Sequence, residues 1–229
     1  MVPGDPQACH PGRGETGLLR APKVAGMRMH LFSCDPTANL LPCDGTVNYH
    51  GPILDPGTSQ RYFDALLHQI PWQNDEVTVF GKHHITARKV AWYSDPGLAY
   101  TYSGTTRHSL PWTDELLELK TLAERLSGAR FNACLLNLYH HGSEGMGWHR
   151  DNEKSIVPHS AIASLSLGAE REFRFKHKSL PSTAQVLLEN GSLLVMKHAT
   201  QTCWLHSLPK STKILTPRIN LTFRRMVGS

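Results

Sequence analysis

Apolar positions along the chain follow two different periods, and the change comes near residue 130. Before it, DPGTSQRYFDALLHQIPW (55–72) repeats hydrophobic side chains at helical spacing. Tyr62, Phe63, Leu66, Leu67 and Ile70 make one stripe, Thr58 or Ser59 is the expected cap, and Pro71 ends the helix. A second helix is predicted in WTDELLELKTLAERLSG (112–128), capped by Thr113, closed by Gly128, with Leu116, Leu119, Ala123 and Leu126 on one face. Beyond it the pattern is short, alternating or continuously apolar: RFNACLLNLY (130–139), SAIASLSLG (160–168), REFRFKHK (171–178), AQVLLENGSLLVMKH (184–198) and RINLTFRRM (218–226). These read as strands, and Asn190-Gly191 between two apolar runs predicts a hairpin. Helices first and antiparallel strands afterwards predict an α+β protein built on a sheet sandwich or barrel.

Composition narrows the setting. The chain has 229 residues, of which 40% are hydrophobic, enough for one domain with a real core. No apolar run approaches the ~18 residues of a membrane span, so no membrane association is expected. The first 28 residues are rich in Gly and Pro and lack the apolar stretch of a signal peptide, so a flexible tail is expected there. Cys9, Cys34, Cys43, Cys134 and Cys203 are scattered without a C-x-x-C pair. That argues against a disulfide framework or a zinc knot and for a reducing, intracellular compartment. Twenty-four Lys and Arg against nineteen Asp and Glu leave a net charge of +5, which permits a polyanionic partner without requiring one.

The candidate chemistry begins in GWHRDNE (147–153). On a strand, His149, Asp151 and Glu153 would share one face. Two histidines and one carboxylate on one side of a metal ion are the ligand set of non-haem iron(II) oxygenases. His149 and Asp151 supply two of the three, and His198, His206, His159 and His177 are candidates for the third. Downstream of His206, PRINLTFR (217–224) alternates strictly, with Arg218, Asn220, Thr222 and Arg224 on one face and Ile219, Leu221 and Phe223 on the other. Two inward guanidiniums are costly unless an anion meets them, and a dicarboxylate would do so.

Together NLYHHGSEGMGWHRDNE (137–153), HSLP (206–209) and PRINLTFR resemble the AlkB family of iron(II)- and 2-oxoglutarate-dependent dioxygenases, over roughly residues 50–226. VFGKHHITARKVAWYSDPGLAYTYSG (79–104) and IASLSLGAEREFRFKHK (162–178) resemble its double-strand-preferring DNA-repair branch. The resemblance implies a double-stranded β-helix (jelly-roll) core in a dioxygenase domain over 29–229, with flanking N-terminal helices and a nucleotide-recognition lid over about 72–112. It makes His149, Asp151 and His206 the iron(II) ligands. Asn137 and Tyr139 would hydrogen-bond 2-oxoglutarate, with Asn220 and Thr222 on the same wall. Arg224 would pair with the distal carboxylate of that cosubstrate and Arg218 with its metal-bound end. Glu153 would face the exocyclic amine of a damaged base, and Phe80, Tyr100, Tyr102 and Ser103 would recognise the nucleotide. Several of Lys82, Arg88, Arg107, Lys176 and Lys178 fall in segments that meet the phosphate backbone in the family.

The implied activity is oxidative dealkylation of 1-methyladenine- or 3-methylcytosine-type lesions, using dioxygen and releasing formaldehyde, carbon dioxide and succinate. Alkylated DNA, double- and single-stranded, is the implied partner, with RNA as a further candidate. A monomer in a bacterial cytoplasm or a eukaryotic nucleus is expected. Action of the same chemistry on RNA or protein is the alternative, while a zinc hydrolase or a non-catalytic jelly roll would leave the arginine strand unexplained. The resemblance of Val79-Phe80-Gly81 to a wedge hairpin generates a test. Phe80→Ala should slow repair of a methylated base in duplex DNA at least about tenfold and spare the same lesion in a single strand, which has no stack to fill. Equal loss on both substrates would place Phe80 in the core.

Overall fold

The computed structural model of the chain describes residues 35–79, 82–102 and 105–227. Their order is β1 (Thr46–Pro52), α1 (Pro56–Gln69), β2 (Gln73–Val79), β3 (Lys82–Ser94), β4 (Ala99–Tyr102), β5 (Thr105–His108), α2 (Asp114–Ser127), β6 (Ala133–Tyr139), β7 (Met146–His149), β8 (Ile162–Gly168), β9 (Arg171–His177), β10 (Thr183–Leu188), β11 (Ser192–Lys197), a short α3 (Thr200–Cys203), β12 (Trp204–Leu208) and β13 (Arg218–Arg224). Seven strands form a major sheet in the order β1-β11-β8-β13-β6-β3-β2, and four form a minor sheet in the order β10-β9-β12-β7. Strands β4 and β5 pair separately. This is the expected α+β architecture, with a jelly-roll core of two facing antiparallel sheets.

Strand β13 shows why the layers form. All seven of its residues are buried, yet only alternate ones are apolar. Ile219, Leu221 and Phe223 point away from the minor sheet, where they join Leu136, Leu138, Leu165 and Leu167 beneath the apolar stripes of α1 and α2. The opposite face looks across to the minor sheet. There one half of the space is filled by Ile162, Leu194 and Met196 against Phe175, Leu188 and Trp204. The other half, lined by polar residues, is the cavity described below.

The helix ends follow local chemistry. Thr113 accepts from the Leu116 backbone N–H and caps α2, and Gly128 closes it in the left-handed conformation at φ 68°. The start of α1 differs from expectation. Asp55, not Thr58 or Ser59, is the cap, accepting from the Thr58 N–H, and Pro56 occupies the first turn, where it loses no hydrogen bond.

Two further expectations are corrected. Asn190-Gly191 does not close a hairpin, because β10 pairs with β9 in the minor sheet whereas β11 pairs with β1 and β8 in the major one. The turn instead carries the chain between sheets. Gly191 adopts φ +74°, and a Cβ there would come 2.4 Å from Ser59 Oγ. Asn190 Oδ1 accepts from the Gly168 N–H at 2.9 Å, so the side chain is spent on tying the turn to β8. Nor does a single strand carry His149, Asp151 and Glu153: β7 ends at His149.

Leu221 is fully buried under both helices. Leu221→Ala should lower unfolding free energy by about 2–5 kcal/mol in a urea titration, the cost of a cavity that a two-layer core cannot collapse to fill. A loss below about 1 kcal/mol would show that the helices are not packed on this strand.

Candidate metal centre and the cavity between the sheets

In the minor sheet β7 lies beside β12 in a register that sets His149 opposite His206. Their rings meet edge-on with centroids 4.3 Å apart. Asp151 follows β7 by two residues and turns back toward the pair, its Oδ1 3.9 Å from His149 Nε2. One ligand atom from each of the three lies within 4.8 Å of the others. The His149 Nδ1–H donates to the Gly147 carbonyl at 2.9 Å. A carbonyl can only accept, so Nδ1 carries the proton and Nε2 keeps the lone pair that faces Asp151. Gln201 Oε1 accepts from the Asp151 backbone N–H at 2.9 Å and anchors the turn.

Electrostatics keep the set ready for a cation. Burial pushes the Asp151 carboxyl upward, but Arg224, His206 and His149 outweigh it and hold the group below its ordinary range. Arg224 Nη2 donates to Asp151 Oδ2 at 2.7 Å, both side chains being buried. Asp151 therefore turns one oxygen to the arginine and the other to the histidines. His206 is pushed down to about 3, by burial first and then by its neighbour His149, with Arg224 adding to this against the pull of Asp151. It is neutral near pH 7 and able to donate a lone pair.

The polar face of β13 forms the opposite wall. Arg218 is buried, donates from Nη2 to Ser166 Oγ at 2.9 Å, and leaves its Nε without a partner. Burial pulls it down to about 10, Tyr139 opposes that, and Arg171 adds to it, so no carboxylate compensates the guanidinium. Three guanidiniums surround the Tyr139 ring: Arg218 at 5.6 Å, Arg171 at 5.9 Å and Arg88 at 6.0 Å. Arg88 is paired with Asp75, and Arg171 donates to the carbonyls of Gly142, Glu144 and Pro209. Of the three, Arg218 is the one with a buried nitrogen, Nε, that has no partner. Asn220 donates to Ser164 Oγ and the Leu165 carbonyl and accepts from Thr222, while buried Asn137 Oδ1 has no partner.

This arrangement sets the two arginines at positions the reverse of those expected. Arg224 sits on the metal-side carboxylate, and Arg218 lies at the far end of the strand beside Tyr139, its register partner. Six residues of strand span about 20 Å, so the two guanidiniums mark opposite ends of one slot.

Cavity walls bring together His149, Asp151, Glu153, His206, Asn137, Tyr139, Arg218, Asn220, Thr222 and Arg224 as expected. Glu153 Oε1 lies 3.9 Å from Arg224 Nη1, at the metal-side end. Tyr100 and Tyr102 lie in β4, but their side chains, like Phe80 and Ser103, fall outside the described residues. Lys82 and Arg107 are in the same position. Arg88 is corrected: it is 6% exposed and pairs with Asp75 inside the fold, so it does not meet solvent or a phosphate. Of the alternative histidines, His198 Nδ1 meets Thr46 Oγ1, His159 Nδ1 meets the His198 carbonyl, and His177 Nδ1 accepts from the Ser179 and Leu180 N–H groups. Sequence reasoning missed Ser164, Ser166, Arg171 and Gln201. The alternation Ser164-Leu165-Ser166-Leu167 was a usable signal for the serines, since it repeats the two-faced pattern of β13. Nothing local marks Arg171 or Gln201.

Two imidazoles and a carboxylate around one point, with the cavity open on the remaining side, fit iron(II). The uncompensated Arg218 and the orphan Asn137 Oδ1 fit a ligand with a distal carboxyl group. The model of the 2OG-Fe(II) oxygenase superfamily matches residues 45–224. The DNA oxidative demethylase ALKBH2 of Homo sapiens is 45% identical over 159 residues, 66% of this chain; the match spans 61% of the human protein's own length. The protein of the same name from Mus musculus is 36% identical over 228 residues, 95% of this chain and 90% of that one. Among solved structures, an oxidoreductase of the 2OG-Fe(II) oxygenase family from Burkholderia pseudomallei superposes with a TM-score of 0.52 at 16% identity, over 79% of this chain and 84% of that one. That likeness is one of fold.

Asp151→Ala removes one ligand and the carboxylate to which Arg224 donates. Affinity for a divalent ion, read by titration calorimetry, should fall by at least the roughly 10- to 100-fold that even a supporting partner commands. Metal binding equal to that of the wild type would remove Asp151 from the centre.

Proposed function

The chain belongs to the AlkB branch of the 2OG-Fe(II) oxygenase superfamily, and we propose that it oxidatively dealkylates N-alkylated bases in DNA. The observation that carries this reading is the buried Arg218, with no ion-pair carboxylate among the described residues and its Nε without a partner, in the same cavity as the His149, Asp151 and His206 set. A hydrolytic metal site has no use for such a cation. The name of the mammalian relatives, DNA oxidative demethylase, supports the choice of substrate.

In the family, bound iron(II) and 2-oxoglutarate supply the oxidising chemistry: one atom of dioxygen ends in succinate and the other on the N-methyl carbon, which leaves as formaldehyde. The chain's residues do the positioning. His149, Asp151 and His206 hold the metal. Arg218, with Tyr139 and Asn137 beside it, holds the distal carboxylate of the cosubstrate, and Asn220 and Thr222 line the slot between. Arg224 keeps Asp151 ionised and turned toward the metal while its charge favours the near end of the cosubstrate. Phe173, tilted against His206 with centroids 5.3 Å apart, and Leu208 keep water from the metal side.

Substrate recognition follows from the same charges. A base methylated on its Watson–Crick edge is cationic or electron-poor, and Glu153 at the cavity mouth favours it. Such a base must leave the stack to reach the metal, a step we assign to Phe80, with Tyr100, Tyr102 and Ser103 receiving the extruded nucleotide. Action on DNA puts the protein in a bacterial cytoplasm or a eukaryotic nucleus.

Incubation of the full chain with iron(II), 2-oxoglutarate and an oligonucleotide bearing one 1-methyladenine should release formaldehyde and succinate in equal amounts. Turnover of the same lesion only in RNA, or no formaldehyde from either strand, would overturn the assignment. Arg218→Ala should raise the KM for 2-oxoglutarate at least about a hundredfold, since it strips a desolvated carboxylate of its partner. An unchanged KM would move the distal clamp elsewhere.

A further inference from the structure

We propose that the outer face of the minor sheet carries a stacking site for a base of a nucleic-acid strand, built on Trp148. The inference extends the reading above to how the strand is held beyond the cavity. Successive residues of a strand point to opposite faces, so His149 enters the cavity and its neighbour Trp148 leaves it. The indole is 43% exposed, whereas Trp92 and Trp204 in the same two sheets are 3% and 0% exposed. Packing therefore does not account for it.

The surroundings of Trp148 match a nucleotide. Lys176 Nζ stands 4.6 Å from the centroid of the indole and fixes the ring as a cation–π pair. The indole also lines a groove with Gly145, Gly147, Arg174, Pro209 and Lys210. Glu172 offsets Arg174 by direct pairing, and among the described residues neither Lys176 nor Lys210 has an ion-pair partner. A flat π-surface beside surplus cations suits a base with its phosphate. A protein partner would want a broad apolar face, but exposed Leu187 shares its side of β10 with exposed Thr183 and Gln185, so the apolar surface there is interrupted.

Position links the groove to the reaction. Met146 and Leu208 line both the groove and the central cavity, so the two share a wall. A strand that delivers one base to the cavity has its neighbouring nucleotides within reach of Trp148.

The test uses the full chain and a fluorescein-labelled, unmodified single strand of about 12 nucleotides, within the site size of stacking proteins, read by anisotropy. Trp148→Ala should weaken binding about tenfold and Trp148→Phe should stay within about threefold of the wild type, because stacking needs an aromatic face rather than an indole. Wild-type affinity in Trp148→Ala would overturn the proposal, and so would an equal loss in both variants. The strand carries no lesion, so this series is independent of turnover. If it holds while no formaldehyde is released from methylated strands, the dealkylation reading falls and the stacking site stands.

Discussion

A carboxylate and a guanidinium taken out of water must meet, or the fold pays several kcal/mol for each. Asp151 follows the last residue of β7 in the minor sheet, and Arg224 is the last residue of β13 in the major sheet. Their 2.7 Å contact ties the sheets together at one end of the cavity. Everything at the metal centre depends on it. The pairing keeps Asp151 ionised despite burial, leaves its second oxygen for a cation, and stops the turn after β7 from swinging into solvent. At the other end Arg218 has no such partner from the chain. One arginine is satisfied by the protein and its twin awaits a ligand, and this asymmetry makes the cavity a site rather than a filled core.

Parts of this were legible in the residues. β13 announced itself because its two environments, a hydrophobic layer and a polar cavity, alternate with the period of a strand. Helix α2 did so through Thr113 and Gly128, which are local signals for local events. The cap of α1 was misplaced by three or four positions because Thr58 and Ser59 are good cap residues, and only the proline in the first turn discriminates against them. Asn190-Gly191 has hairpin chemistry, yet the partners of β10 and β11 are chosen by distant strands. The resemblance assigned the ends of the arginine slot position by position, and a local pattern could not have done so. Alternation puts Arg218 and Arg224 on one face, but which of them nears Asp151 depends on how two sheets stack.

The same limit explains the unforeseen residues. Gln201 is fifty positions from the backbone group it anchors, and Ser166 is fifty-two from the arginine it receives. Arg88 looks like a surface charge in KHHITARK and is a core ion pair, since the acid that neutralises it lies on the neighbouring strand. Short-range pattern reports the face on which a side chain lies, whereas pairing across sheets reports its partner.

Arg171 joins the loop before β7, through the Gly142 and Glu144 carbonyls, to the residue after β12, through that of Pro209. These are the two strands that bear the histidines, and one guanidinium clamps them at their shared end. The consequence is mechanical. His149 and His206 ride on a single rigid ribbon, so breathing of the sandwich moves them as a couple and their mutual spacing is conserved. Asp151, the one ligand mounted on a loop, is held instead across the gap by Arg224 and from behind by Gln201, so its place is set by the spacing between the sheets while the imidazoles share one of them.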